Sequence, residues 1–322
     1  MLKALDLEIT GCCNEKCVHC YHPENISREF MKDMDLLDTM LQEFAELGFI
    51  FLTITGGEPL LHPEFRKIFE TAQKHRYSIS VKTNGTLIDD GTAVFFSEMK
   101  PETVEVSIYS SDSSEHDSIT CIPGSFEKSM NGLKTMKRHG AKCSAHTPVI
   151  KGIKKWKELY DIMRSLDIPW SCSSNIFPSL DQRTSLEPLR NGYNEYLDFM
   201  KFTDQREKMP PPERTGECYN GCMAGISKVS IGPDFMLKPC LAWNETAGKY
   251  KPGEGADLIK RSRKIFENKL KTIECLECPL VKICIPCPAH LEIVHGKGIC
   301  DKNRKEFAKA YCDFFELTEK CL

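Results

Sequence analysis

Residues 11–23, GCCNEKCVHCYHP, carry four cysteines within nine positions: Cys12, Cys13, Cys17 and Cys20. Three of them, Cys13, Cys17 and Cys20, form a C-x3-C-x2-C pattern directly after an alternating, strand-like segment. Three thiolates on one tight loop can ligate three irons of a four-iron cube and leave the fourth iron open to a small molecule, whereas four cysteines give a closed electron-transfer site. Cys12 abuts Cys13, and neighbouring side chains on an extended segment point apart, so Cys12 is placed outside the ligand set. A second array occupies the C-terminal third: Cys218, Cys222 and Cys240, then Cys275, Cys278, Cys284 and Cys287, and finally Cys300. These eight thiols suit two four-ligand sites. Paired zinc knuckles are the competing reading, since C-x2-C recurs in them. Zinc sites set their ligands in two like pairs, and this array is irregular.

The whole chain of 322 residues holds 17 cysteines and has a formal net charge of -3. That balance gives no reason to expect nucleic acid or a membrane surface as partner. The basic run at 154–157, KKWK, reads as a solvated helix face. The first residues, MLKALDLEIT, lack the apolar stretch and cleavage site of a signal peptide. No window approaches the roughly 18 to 20 apolar residues that span a bilayer. A cytoplasmic protein is expected, and in a reducing compartment clustered cysteines are metal ligands or redox groups rather than disulfides.

The elements that must carry these cysteines alternate between two periods. Strand patterns occur at Leu5/Leu7/Ile9, Ile50/Leu52/Ile54, Ile79/Val81 and Val104/Val106/Ile108, with weaker ones at 142–149 and 168–174. Helical stripes lie between them: Leu36 to Leu47, Phe65 to Ala72, Phe126 to Met136 and Trp156 to Leu166. Gly48 and Gly140 follow two of these helices, where a C-terminal glycine is expected. Six strand–helix repeats predict a parallel α/β sheet curved into a partial (β/α)6 TIM-like barrel. The second face of the strands is polar: Asp6, Glu8, Thr53, Thr55, Ser80, Lys82, Glu105, Ser107, Ser144 and His146. Strands buried on both faces read as continuous apolar runs, so a polar face predicts a ligand-holding lumen. An edge-exposed sheet with one solvated face is the alternative. A helix from about Leu186 to Thr203 and three consecutive prolines in KMPPPERTGEC close this unit, giving a barrel with bridging helix over 1–209. Residues 210–322 read as a small cysteine-rich domain too poor in apolar residues to fold without staples.

CNEKCVHC resembles the cysteine motif of the radical S-adenosylmethionine (radical SAM) superfamily, with aromatic His19 before the last cysteine. The resemblance implies that the open iron chelates the amino and carboxylate groups of S-adenosylmethionine (AdoMet). One electron then cleaves the sulfonium to a 5′-deoxyadenosyl radical. Gly56, Gly57 and Glu58 at the end of the second strand resemble the family's GGE motif, which holds the methionine amino group. Thr83 and Asn84 at the end of the third strand resemble a cofactor-lining pair, and Ser107 a ribose-contacting serine. Tyr109 departs from the pattern, since many relatives carry an acidic residue there.

CMAGISKVSIGPDFMLKPC and CLECPLVKICIPC resemble the SPASM extension, which implies two auxiliary [4Fe–4S] clusters and three clusters in all. Carried over, one uses Cys218, Cys222, Cys240 and Cys287, and the other Cys275, Cys278, Cys284 and Cys300. Three departures stand: Phe235 where relatives often have glycine, a final C-x2-C in place of C-x3-C, and Cys312 and Cys321 as rivals to Cys300.

Substrate residues carry weaker marks. Cys172, near the end of the sixth strand, is the candidate hydrogen donor, against the alternative that it, Cys121 and Cys143 are small buried apolar side chains. His146, Tyr109, Tyr21 and Arg183 are candidate pocket residues, and His116 and Asp117 fix the loop after the fourth strand. The expected function is modification of a ribosomally made precursor peptide by epimerisation, crosslinking or backbone excision. The chain starts directly on strand one, so leader recognition is expected from a separate partner protein, and electrons from a flavodoxin or ferredoxin. The rival enzyme is a dehydrogenase, epimerase or decarboxylase acting on a sugar or nucleoside. A protein with clusters as staples or redox sensors is a third class, and it leaves the GGE turn unexplained.

Overall fold

The computed structural model describes residues 3–22, 29–177, 179–180, 186–207, 222–272, 278, 284, 287–295 and 302–315. Cys218, Cys275, Cys300, Cys321, Arg183 and the three prolines of the expected linker lie outside the described residues.

The sheet is built from β1 (Lys3–Thr10), β2 (Phe49–Gly56), β3 (Ser78–Thr83), β4 (Thr103–Ser107), β5 (Cys143–Pro148) and β6 (Trp170–Ser173), paired in order and all parallel. The alternation that marked these segments has the expected cause. Leu5, Leu7, Ile9, Ile54, Val81, Val104 and Val106 are fully buried under helices α1 (Met34–Glu46), α2 (Phe65–Lys74), α3 (Asp90–Met99) and α5 (Ser125–Arg138). In α2 the buried residues are the four of the sequence stripe, Phe65, Ile68, Phe69 and Ala72. One expectation fails. Ile50 is 40% exposed, and Phe49 packs in its place, because a register irregularity pairs Lys3 with Phe49 but Ala4 with Phe51. A one-residue slip moves a side chain to the other face.

Between β1 and β6 two helices were not expected, α3 and α4 (Ser113–Thr120), and the helices beyond residue 250 were not expected either. Helices α3 and α4 are short, and α4, SSEHDSIT, has no apolar stripe. Their starts are written in caps instead. Asp89 accepts from the Thr92 amide at 2.7 Å, and Asp112 from the Glu115 amide at 3.1 Å. After α6 (Glu158–Ser165), the expected 186–203 helix is a short 3-10 turn, Glu187–Leu189, followed by α7 (Tyr193–Glu207).

The sheet does not stop at the barrel. Strand β7 (Lys228–Ile231) pairs in parallel with the outer edge of β1, and β8 (Met236–Lys238) and β9 (Gly248–Lys249) continue it antiparallel. Helix α8 (Gly255–Leu270) is tied to α1 through Glu43, whose carboxylate accepts from Tyr250 Oη at 2.6 Å and from the amides of Gly253 and Gly255 at 2.9 and 2.7 Å. The last helices are α9 (Pro288–His295) and α10 (Lys302–Phe314), and α10 packs Ala308, Tyr311 and Cys312 on Tyr196 and Met200 of α7. Phe235, in the β7–β8 turn, adopts φ +64°. That is the left-handed region where glycine is easiest. Here the ring is instead 4% exposed and part of the main core.

Candidate active site

The cysteine loop leaves β1 at Thr10 and runs to His22, held by the ends of the neighbouring strands. Gly57 donates to Thr10 O at 2.8 Å, and Glu58 donates to Cys12 O at 2.7 Å. A methyl group on Gly56 would lie 2.2 Å from Thr10 O, and one on Gly57 2.2 Å from Cys12 O. The two glycines therefore let the base of the cysteine loop lie directly on the end of β2. Glu58 is fully buried, and its carboxylate accepts from Thr83 Oγ1 at 2.7 Å, the Asn84 amide at 2.8 Å and the Leu60 amide at 3.0 Å. Burial raises the pKa of Glu58, and these bonds work against that rise.

Asn84 continues the chain of contacts. Its side-chain nitrogen donates to Asn14 Oδ1 at 2.8 Å, Asn14 donates to Thr86 Oγ1 at 2.8 Å, and Thr86 donates back to Asn84 Oδ1. Asn14 lies inside the motif between the first two ligand candidates, and only the fold shows that it reaches β3. Ser107 ends β4, half-buried, opposite His146 of β5. Gly56, Gly57, Glu58, Thr83, Asn84 and Ser107 thus gather at the C-terminal ends of adjacent strands beside the cysteine loop.

Cys13, Cys17 and Cys20 share that loop, and the Cys20 thiolate would raise the pKa of both others. Burial is the larger cause in each case. It pushes Cys13 up to about 12 and raises Cys17 and Cys20 as well. Ligation would replace these protons with a bound cation. Among the described residues, no three His, Cys, Asp or Glu side chains converge as a single ion requires.

Beneath the loop is a buried polar cluster. Glu15 is 7% exposed, with Cys17 Sγ 3.4 Å from its Oε2, and burial raises its pKa to about 7. Tyr109 Oη lies 3.9 Å from Cys17 Sγ. His19 packs edge-on against Tyr109, with burial lowering its pKa to about 4. Among the described residues, Glu15 Oε1, His19 Nδ1 and His116 Nε2 are buried without a hydrogen-bond partner. Asp117 accepts from Gly124 N, Ser125 Oγ and Phe126 N, which fixes the turn from α4 into α5.

The lumen face is polar as its sequence predicts. Asp6 is 2% exposed and pairs with Lys228 of β7 at 2.9 Å, and Glu8 meets His22 at 2.7 Å. His146 meets Ser171 and Ser173 of β6 at 2.8 and 3.1 Å. Those two serines carry the lumen side of β6. Cys172 between them therefore faces the other way, packed with Trp170, Val149, Trp156 and Phe202 against the helices. The expectation that Cys172 reaches the lumen is corrected, because strand side chains alternate between faces. Cys143 is likewise a core residue, and Cys121 is exposed at the end of α4.

Of the second array, Cys222, Cys240 and Cys287 come together. They share an apolar nest with Ala224, Trp243, Phe266 and Ala289, and the Cys287 charge raises both of the other thiols, after burial, which pushes Cys240 to about 12. Cys284 sits elsewhere, against the α7–α10 cluster that contains Cys312. Cys278 is half-buried.

A parallel sheet whose strand ends bring together a three-thiol loop, a GGE turn and a polar edge of Thr83, Asn84 and Ser107 defines the class: the chain belongs to the radical SAM superfamily, and residues 7–166 match that family. More particularly, the fold is that of SPASM-type radical SAM enzymes, a TIM-like sheet followed by a cysteine-rich C-terminal region. The AdoMet-dependent heme synthase of Oleidesulfovibrio alaskensis is 22% identical over 92% of this chain and 84% of its own length. The antilisterial bacteriocin subtilosin biosynthesis protein AlbA of Bacillus subtilis is 32% identical over 72% of this chain and 53% of its own. Among solved structures, anSMEcpe with bound AdoMet and Kp18Cys peptide superposes with a TM-score of 0.76 at 18% identity, covering 97% of this chain and 96% of that one. The superfamily and the AdoMet-bound neighbour imply AdoMet and a [4Fe–4S] cluster as cofactors. Among the described residues, no helix is long and apolar enough to cross a membrane.

Proposed function

We propose that this radical SAM enzyme modifies a ribosomally made precursor peptide, by epimerisation, crosslinking or backbone excision. The observation that carries the reading is the 32% identity to AlbA over 72% of the chain. Among the described strands β6 pairs only with β5, so the sheet does not close on itself and leaves a side through which an extended chain can enter. Cys13, Cys17 and Cys20 would hold one [4Fe–4S] cluster. When bound, that cluster supplies the electron that splits AdoMet into methionine and a 5′-deoxyadenosyl radical. Glu58, Asn84 and Ser107 would lie along the AdoMet site, with the buried Glu58 carboxylate fixing Thr83 and Asn84 at its edge. Cys222, Cys240 and Cys287 would hold an auxiliary cluster with Cys218, and Cys275, Cys278, Cys284 and Cys300 a second. A flavodoxin- or ferredoxin-type reductant and a separate leader-binding protein complete the proposed partners.

A second reading has its own support: the heme synthase likeness spans 92% of the chain and favours a small-molecule substrate. One experiment separates them. The anaerobically reconstituted protein, reduced with dithionite, is given AdoMet with perdeuterated candidate precursor peptides or with deuterated sugars, nucleosides and iron porphyrins. Deuterium in 5′-deoxyadenosine from a peptide alone supports the first reading, and from a small molecule alone the second. About twelve irons per chain, four for each of three cubes, is the expected loading.

A further inference from the structure

We propose that Tyr109 sets the reduction potential of the cluster held by Cys13, Cys17 and Cys20, by donating its phenolic hydrogen to the Cys17 sulfur. The inference rests on the reading of those cysteines as iron ligands. Tyr109 follows the end of β4 and is 5% exposed, with its hydroxyl 3.9 Å from Cys17 Sγ, within hydrogen-bond reach of sulfur. Among the described residues, that sulfur is the hydroxyl's one hydrogen-bond partner. In the free thiol either atom can donate. An iron-bound thiolate has no hydrogen, which leaves the phenol as donor, and a phenol with an ordinary pKa of about 10 keeps its proton at neutral pH.

The geometry is built rather than incidental. His19 packs against the ring at 4.9 Å and 68°, and His116 at 5.2 Å and 50°. The Tyr109 amide donates to His116 Nδ1 at 3.3 Å, and His116 packs in turn on Phe126 at 5.5 Å. The hydroxyl is thus aimed before any cluster arrives. Hydrogen bonds to ligand sulfurs are among the protein's levers on cluster potential. One-electron reduction by an external reductant adds negative charge that the sulfurs share, so a donor at Cys17 stabilises the reduced form more than the oxidised one. No bond forms or breaks. Tyr109 acts through Cys17 and is a positioning residue for the electron step, standing where many relatives carry an acid.

The test is a redox titration of the full, reconstituted chain and of Tyr109→Phe, which keeps the ring contacts to both histidines. The signal followed is the reduced-cluster electron paramagnetic resonance that changes shape when AdoMet is added. This separates it from any auxiliary cluster. The variant is expected to keep its iron and its AdoMet response. Its reduced-to-oxidised ratio at fixed potential should fall about tenfold, a midpoint roughly 59 mV more negative for a one-electron couple. In wild-type protein exchanged into D2O, electron–nuclear double resonance should show, beside the deuterons of the Glu15 and His22 amides that face Cys13 and Cys20, one further exchangeable deuteron that is absent in the variant. An unchanged midpoint with full iron, or that further deuteron in both proteins, overturns this inference alone. Wild-type protein with no AdoMet-responsive signal overturns the ligand assignment, and this inference with it.

Discussion

Replacing Gly57 with alanine is the sharpest perturbation of the site. The added methyl would sit 2.2 Å from Cys12 O and 2.5 Å from Cys12 C, both backbone atoms. That is over 1 Å short of an ordinary carbon contact of about 3.5 Å. No side chain can rotate away, so either the end of β2 or the base of the cysteine loop must withdraw. The cost is at the upper end of overpacking, about 3 kcal/mol, and lowers Tm by roughly 5–10 °C. The Glu58 amide bond to Cys12 O would also be strained, which moves Cys13 relative to the rest of its set. Gly48→Ala is the matched control. Its φ of +88° is strained for alanine, yet nothing lies within 4 Å of the added methyl, so it should lose about 1 kcal/mol and no iron. The assay is thermal unfolding of both proteins under argon, with iron content and the AdoMet-responsive signal. Gly57→Ala that keeps that signal and melts within 1–2 °C of Gly48→Ala, a difference of roughly 0.5 kcal/mol, would refute the argument that these glycines exist to admit the loop.

Four further outcomes follow from particular contacts. Cys240→Ala should remove about four irons per chain while dithionite-driven 5′-deoxyadenosine release persists, read by iron analysis beside product assay; full iron would break the Cys222/Cys240/Cys287 set. Glu43→Gln should cost about 1–2 kcal/mol by weakening the tie between α1 and α8, read by denaturant unfolding. Burial raises the pKa of Glu43, but its three hydrogen bonds outweigh that and hold it below the ordinary 4.5; the stabilisation is present above that value and is lost as pH falls through the folded one, so the wild-type advantage over the variant should shrink on acidification. Thr83→Val keeps the shape but leaves Glu58 without one donor and the Gly85 amide without its 3.0 Å acceptor, a loss of about 2 kcal/mol together with weaker AdoMet binding by calorimetry. Phe235→Gly relieves a left-handed residue, worth about 1 kcal/mol, but empties a core position worth about 3–5, so the variant should be less stable by roughly 2–4 kcal/mol.

Much of this architecture is legible because burial writes a period into the chain. Leu5, Leu7 and Ile9 alternate with Asp6 and Glu8, and the structure puts the first set under helices and the second in the lumen. Where packing does not depend on period, the sequence says less. Helix α4 has no apolar stripe and begins only because Asp112 caps it. Ile50 alternates correctly and is still exposed, since one irregular residue in the β1–β2 register outweighs the pattern. Cys172 shows the limit of reading a face from a four-residue strand: only its serine neighbours, bonded to His146, reveal which side is inside. The cysteine triad and the GGE turn are visible as motifs, but the reason for the glycines is not. They accommodate Thr10 and Cys12, which are distant in sequence. Tyr109 reads as a departure from a pattern until its hydroxyl is placed beside Cys17.

The pairing of β7 with β1 has a consequence for how the chain is made. Strand β1 is synthesised more than 200 residues before its outer neighbour, Lys228–Ile231. Until then the nascent barrel presents an open edge of unpaired amides and carbonyls, and a buried Asp6 still lacks the Lys228 ammonium. Exposed edges recruit other strands, and pairings distant in sequence form slowly. The period between ribosomal exit of β6 and arrival of β7 is therefore when this protein is most exposed to aggregation. Slowing translation before residue 228 should lower its soluble yield more than slowing it afterwards.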